Sequence, residues 1–174
     1  MTPDVTQNEA AQPADAHEMG GKFMTFKLAR EEYGLAILKV RELIGLMDIT
    51  RVPGSSPHIR GVINLRGKVI PVMDLRLKFQ MQAAEPTDQT VIIVVQIGTP
   101  QGDLTMGVLV DEVLEVLGID QKNIEPPPDF GAGAFAPEYL LGVGKSDKRV
   151  IFLLDIERVL SGTDRSALAQ AAAA

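Results

Sequence analysis

The sequence predicts a mainly β fold built as two small barrels, and three observations carry that prediction. Residues 61–72, GVINLRGKVIPV, return in weaker form at 142–153, GVGKSDKRVIFL; Gly61-Val62 falls on Gly142-Val143, Lys68-Val69-Ile70 on Arg149-Val150-Ile151 and Asp74-Leu75 on Asp155-Ile156. An earlier stretch repeats in the same order. Residues 34–43 lie over 107–116, so that Gly34 meets Gly107, Val40 meets Val113 and Glu42 meets Glu115. Such self-similarity marks one small unit used twice. Third, the apolar runs are short and punctuated by glycine, with little helical periodicity, which favours barrels over an alternating βα sheet.

The elements follow in order along the chain. Residues 1–21 hold Asp4, Glu9, Asp15 and Glu18 with no Lys or Arg and no hydrophobic period, the composition of a disordered acidic tail. Aromatic and aliphatic residues at 22–29 suit a strand, the polar 30–32 a turn, and 33–38 a second strand. Pro53, Gly54 and Pro57 mark a loop before the 61–72 motif. TVIIVVQI at 90–97 is apolar on both faces, as a strand covered on both sides would be, and a Gly-Thr-Pro-Gln-Gly turn leads into a strand at 104–110. Strands at 68–72 and 149–154 close the two copies, and Asp74 and Asp155 sit where each gives way to a short helix, the place of an N-cap. Three prolines at 126–128 and the Gly-rich 131–133 form a long loop, and the alanine-rich 161–174 reads as a tail or a frayed helix.

Composition limits the function. With 45% hydrophobic and 23% charged residues, the chain has the balance of a globular domain and is not disordered throughout. No Trp and few other aromatics predict a core of Ile, Val and Leu. No cysteine is present, which removes disulfides, thiolate metal sites and cysteine nucleophiles and fits a reducing cytoplasm. The net charge is −6, of which the tail supplies −4, so the remainder is nearly balanced and exerts no pull toward nucleic acid or anionic lipid. No secretory signal is recognisable, and the longest apolar run, 91–95, is too short to span a bilayer.

Enzyme signatures fail one by one. Gly61 to Gly67-Lys68 superficially resembles a phosphate loop, but five residues separate the glycines and Val69 stands where a Ser or Thr would hold magnesium. His17 lies in the tail and His58 in a Pro-flanked loop, each reading as a surface histidine. Asp111 and Glu112 form an acidic pair expected to face solvent, and no nucleophile–base constellation can be assembled. What remains is Asn64-Leu65-Arg66-Gly67. As a hairpin turn it needs only that Asn and Gly tolerate positive φ, with Arg66 decorating the tip. As a site it presents a bidentate hydrogen-bonding fork on a rigid turn. Asp147 stands in the repeat position, so the fold does not require arginine there. Val40 and Glu42 read either as alternating core and surface residues or as contacts.

The segments EEYGLAILKVRELI, GVINLRGKVIPVMDLRLKF, MGVLVDEVLEVL and EYLLGVGKSDKRVIFLLDIERVL, in that order over residues 22–160, resemble the CheW family of bacterial chemotaxis adaptors. The resemblance implies two five-stranded SH3-like β-barrels packed side by side with short helices, the repeated units spanning about 34–75 and 90–156. It implies no catalysis and no cofactor or metal. It also implies two partners, the regulatory domain of the histidine kinase CheA and the cytoplasmic tip of methyl-accepting chemoreceptors, with possible ring-like self-association. The chain would then be cytoplasmic and meet the membrane only through receptors. Receptor contact in the family uses a groove between the barrels; Ile37, Val40, Glu42, Gly61, Asn64 and Arg66 match its positions. The kinase-contacting strand edges are not marked in the sequence; Gly107 and Val116 are the weaker candidates for kinase coupling or assembly.

Other readings stay open from the residues alone. A related adaptor of another chemosensory pathway, such as pili-based motility, would carry the same motifs. A receiver-bearing relative is disfavoured because the chain ends near the second barrel. A fragment of the kinase is disfavoured because a self-contained tail precedes the first strand and no catalytic motif is present. A small-barrel enzyme lacks an ionisable cluster, and a nucleic-acid-binding module lacks a basic face with interleaved aromatics.

Overall fold

A computed structural model of the chain describes residues 20–99, 102–128, 137–160, 164, 165 and 168. Residues 1–19 of the predicted tail, His17, the Gly-rich 131–133 and most of the alanine-rich C-terminus lie outside the described residues. The described part holds strands β1 (Gly21–Leu28), β2 (Glu31–Ala36), β3 (Val40–Gly45), β4 (Ile59–Leu65), β5 (Lys68–Asp74), β6 (Val91–Thr99), β7 (Gly102–Val110), β8 (Glu112–Ile119), β9 (Ile124–Glu125), β10 (Leu140–Ser146) and β11 (Arg149–Leu154). Two short helices follow β5 and β11: α1 (Leu75–Lys78) and α2 (Ile156–Val159). Both start at the aspartates the repeat singled out. Asp74 accepts hydrogen bonds from the amides of Arg76 and Leu77, and Asp155 from that of Glu157.

The strands form two sheets, β3-β6-β7-β5-β4 and β8-β1-β2-β11-β10-β9, and each closes into an SH3-like barrel in the same way. In the first barrel the chain beyond β3 bends so that Thr50 pairs with Val62 on β4, with both backbone hydrogen bonds at 2.8 Å. In the second, β9 follows β8 and pairs Glu125 with Val143 on β10, the repeat partner of Val62. The parallel pairings repeat as well. Val72 on β5 faces Gly107 on β7, and Leu153 on β11 faces Gly34 on β2. The hairpin β1–β2 thus occupies in the second barrel the place that β6–β7 occupies in the first.

The repeat is therefore interleaved. After β2 the chain crosses from the second sheet to the first, and after β7 it crosses back. This explains one departure from the sequence reading: the strand predicted to run to Leu38 stops at Ala36, and Ile37–Lys39 form a 3-10 turn, because the backbone changes sheet there.

The apolar residues sort into three clusters. Ile63, Ile70, Val72, Ile92, Val94 and Leu109 fill the first barrel, and Phe23, Ile119, Ile151 and Leu153 fill the second. The largest cluster draws on both sheets, with Phe26, Leu35, Met73, Ile93, Val95 and Met106 among its members. Strand β6 shows why 91–95 is apolar on both faces: Ile92 and Val94 point into the barrel, Ile93 and Val95 out of it into the shared core. The expectation of an aliphatic core holds for the barrel interiors apart from Phe23. The shared core instead gathers aromatic rings, Phe26 on Tyr33 at 5.7 Å, Tyr33 on Phe79 at 6.0 Å and Phe79 on Tyr139 at 5.8 Å between centroids. Burial there, with Glu31 nearby, pushes the Tyr33 phenol up to about 12.

Two polar residues are placed differently from the sequence reading. Asp111, expected to face solvent, sits at the crossover from β7 to β8. It accepts from Arg76 Nε at 2.8 Å, Arg76 Nη2 at 2.6 Å and the Ala29 amide at 2.7 Å, tying α1 to the β1–β2 turn. His58, expected on the surface, is mostly covered, with Nε2 2.7 Å from Asp164 Oδ1. Asp164 in turn accepts from Lys78 at 2.6 Å.

The Asp111 link predicts an acid-sensitive element of stability. Burial raises its pKa, but the Arg76 hydrogen bonds, the Ala29 amide and the Arg76 charge outweigh burial and hold it below the ordinary 3.8. A depressed carboxyl stabilises above its unfolded value and loses that contribution as pH falls through the folded one. Asp111→Asn is expected to cost about 1–2 kcal/mol at pH 7, the range for charge-assisted bonds reduced for partial exposure. The gap to wild type should narrow as denaturation is followed below pH 3.8.

Candidate functional site: a charged clasp on the seam of the first barrel

Strands β3 and β4 are the two ends of the first sheet, and barrel closure brings them to one seam. Glu42 on β3 and Arg66 at the tip of the β4–β5 hairpin meet across it, Arg66 Nη2 donating to Glu42 Oε2 at 2.5 Å. The hairpin loop is the two residues between the paired Leu65 and Lys68, with φ of 54° at Arg66 and 85° at Gly67, the primed geometry that suits strand twist. Positive φ falls on Arg66, not on Asn64. Asn64 instead caps the turn, its Oδ1 accepting the Gly67 amide at 2.8 Å. Asp147, the repeat equivalent of Arg66, has a φ of 55°.

Arginine at this spot is asked for by neither backbone nor packing. The left-handed region favours Gly, Asn or Asp, and the Arg66 side chain is 69% exposed. The hydrogen bond Arg66 donates to Glu42, then the Glu42 charge, raises the guanidinium pKa further, so Arg66 is a permanent cation. An ion pair this exposed adds little stability.

The other predicted site residues divide by burial. Val40 opens β3, half-buried against the shared core, and Ile37 lies in the preceding 3-10 turn. Ile37, Val40 and Glu42 follow one another along the chain into β3, and Glu42 pairs with Arg66. Gly61 is buried in β4, where a Cβ would lie 2.1 Å from the Thr50 carbonyl oxygen; its φ is +142°. The barrel-closing strand therefore runs directly over it, which gives this glycine a packing reason of its own. Gly107 is likewise buried, with a Cβ position 2.6 Å from Ile92 Cγ2. Val116 is exposed on β8.

Sequence reasoning did not single out Leu38, Leu43 or Val69, exposed aliphatics that follow Ile37 and Glu42 in the chain or, for Val69, pair with Asn64 across the hairpin. Leu43 and Val116 are repeat partners, as are Val69 and Val150, and all four are exposed. The second barrel also carries a clasp: Arg149 Nη1 donates to Glu115 at 2.9 Å and Arg149 Nη2 to Glu32 at 2.6 Å. The alignment of Glu42 with Glu115 was the available signal, but Arg149 aligns with Lys68, so the pairing was not readable from it.

Among the described residues, no group of three or more His, Asp or Glu is placed to hold a metal ion, and no helix is long and apolar enough to cross a membrane. Exposed ion pairs and exposed aliphatics on a double barrel suit the docking of another protein. The CheW-like domain family matches residues 22–164. The chain is 40% identical to the chemotaxis protein CheW of Klebsiella aerogenes over 146 residues, 84% of this chain and 85% of that one. It is 34% identical to the CheW of Rhizobium meliloti over 148 residues, 85% of this chain and 92% of that one. The crystal structure of the scaffolding protein TtCheW from Thermoanaerobacter tengcongensis superposes with a TM-score of 0.73 at 34% identity, covering 84% of this chain and 97% of that one. The chain belongs to the CheW-like family of chemotaxis proteins. Its class is that of scaffolds and adaptors, not enzymes.

Proposed function

We propose that the chain is an adaptor that couples transmembrane chemoreceptors to the histidine kinase CheA in cytoplasmic signalling arrays. The observation that carries the receptor side is Arg66: an exposed cation, in a backbone conformation that arginine disfavours and paired with Glu42, two residues after half-buried Val40 on the strand that Ile37 leads into. Such a surface suits an apolar helix face laid along Val40 and Ile37, with orientation set at the rim by Arg66 and Glu42. Gly61 and Asn64 serve by shape, the first by letting the barrel close and the second by holding the hairpin tip. On the kinase side, Val116 offers an exposed contact on the second barrel and Gly107 acts through packing alone. Receptor state would reach the kinase as a shift in its active population, with no chemistry in the adaptor itself.

The test is titration of a receptor cytoplasmic hairpin fragment into wild type and Arg66→Ala. Loss of a central arginine contact should weaken binding about tenfold or more, with the melting temperature unchanged because the pair is exposed. Equal affinity for both proteins would remove Arg66 from the interface.

A further inference from the structure

The segment that closes the first barrel, residues 49–57, meets the start of β4 and the helix α1 around a cavity of about 490 Å³. Ile49, Ile59 and Leu77 give it apolar walls, and Arg51, Ser56 and Arg60 line its polar side. In a chain of net charge −6, none of the described residues lining this cavity is acidic. Its volume falls in the range of small-molecule sites and exceeds what a bare inorganic anion fills.

The walls are preformed. Ile59 belongs to the shared core, and Ile49 packs against the core of the first barrel. The loop is held by its own bonds, Ser55 Oγ donating to the Val52 carbonyl at 2.8 Å and the Ile59 amide to the Ser56 carbonyl at 3.0 Å. Arg60 is fixed from one end. Its Nη1 donates to Asp74 Oδ2 at 2.8 Å, and that buried carboxylate also caps α1. Among the described residues, no other partner engages the Arg60 guanidinium, and none engages the Arg51 guanidinium or the Ser56 hydroxyl.

Three donor-bearing side chains and no carboxylate therefore line one apolar-walled space. A carboxylate ligand would bring two oxygens and a single charge. A phosphoryl monoester brings three terminal oxygens and a charge of about −1.5 to −2 at pH 7, and guanidinium forks bind it in bidentate fashion. The apolar walls add what an inorganic anion cannot use, burial of a hydrocarbon or ring body.

We propose that this cavity binds a small organic phosphomonoester. Arg51, Arg60 and the Ser56 hydroxyl hold its phosphoryl group, and Ile49, Ile59 and Leu77 cover its apolar body. Occupancy braces the barrel closure, because Thr50, next to Arg51, pairs with Val62, and the Arg51 Cα lies 3.0 Å from where a Cβ on Gly61 would stand. The site is separate from the receptor reading, since Arg66 does not line the cavity.

The probe is phenyl phosphate, which joins a ring to a phosphoryl group with nothing else. It is titrated by calorimetry into the full chain beside inorganic phosphate and benzoate, with thermal melts in parallel. Wild type is expected to bind phenyl phosphate about tenfold more tightly than either control, and its melting midpoint to rise with ligand concentration. Arg51→Ala should weaken binding about tenfold or more, with its ligand-free midpoint unchanged because the exposed Arg51 side chain makes no bond among the described residues. Arg60 is left in place, since its removal would strip buried Asp74 of its cation. Inorganic phosphate binding as tightly as phenyl phosphate would overturn the organic body, and benzoate doing so would overturn the phosphoryl preference. Affinity of Arg51→Ala within about twofold of wild type, or no saturable binding of phenyl phosphate up to about 10 mM, would overturn the site itself.

Discussion

Gly61→Ala is expected to cost about 3–5 kcal/mol, one of the largest single-site losses this fold can show. The added methyl would sit 2.1 Å from the Thr50 carbonyl oxygen and 2.7 Å from its carbon. Both are backbone atoms held by the paired Thr50–Val62 hydrogen bonds, so relief means opening the barrel seam. A φ of +142° adds strain for any L side chain. Gly67→Ala is the matching control: its φ is also positive, at +85°, but no atom lies within 4 Å of the added carbon. That variant should lose only the backbone penalty, about 1–2 kcal/mol. Urea denaturation of the pair separates clash from conformation, and equal losses would contradict the seam argument. Any binding defect of a Gly61 variant must be read after this correction, because the residue shapes the seam on which Glu42 and Arg66 meet.

Phe26→Ala is expected to cost about 3–5 kcal/mol by removing a fully buried ring and leaving a cavity. Phe26 stacks on Tyr33 within the cluster shared by both sheets, not inside either barrel. Because hairpins exchange between the sheets, neither barrel can lose this core and keep its own strands in place. The loss should therefore appear as a lower midpoint in one transition, recorded alike by far-UV circular dichroism and tyrosine fluorescence. Two separated transitions would show that the barrels unfold as independent units.

The duplication was legible because the barrels close by equivalent backbone approaches. Gly61 and Gly142 both lie under the closing strand, and Gly34 and Gly107 both sit on the parallel pairing, so the same residue type is required twice. The aspartate caps were legible for a similar local reason. The interleaving was not. Alternation along β1–β2 says which face is apolar and nothing about which sheet the hairpin joins, and Ile37–Lys39 carries no Gly or Pro to announce the crossing. Contacts between residues far apart escaped as well. His58 and Asp164 are separated by 106 positions, and Asp111 and Arg76 by 35, so each reads locally as an ordinary surface charge.

The candidate site divides along the same line. Arg66 stood out because its repeat partner is Asp147, and the shared positive φ shows that the turn needs its geometry and not its arginine. Its pairing with Glu42 depends on closure of the barrel, which no spacing in the sequence encodes. Leu38 escaped for the opposite reason. Within an apolar run it reads as one more strand residue, and only the change of sheet turns it outward.

The most direct test of the adaptor reading is co-sedimentation of the purified chain with the CheA regulatory domain and a receptor cytoplasmic fragment, in parallel with Arg66→Ala. Wild type is expected to bring both partners into one complex, and the variant to keep the kinase domain while losing the receptor fragment. Failure of wild type to retain either partner would contradict the account, and loss of both partners by Arg66→Ala would contradict the assignment of that seam to the receptor.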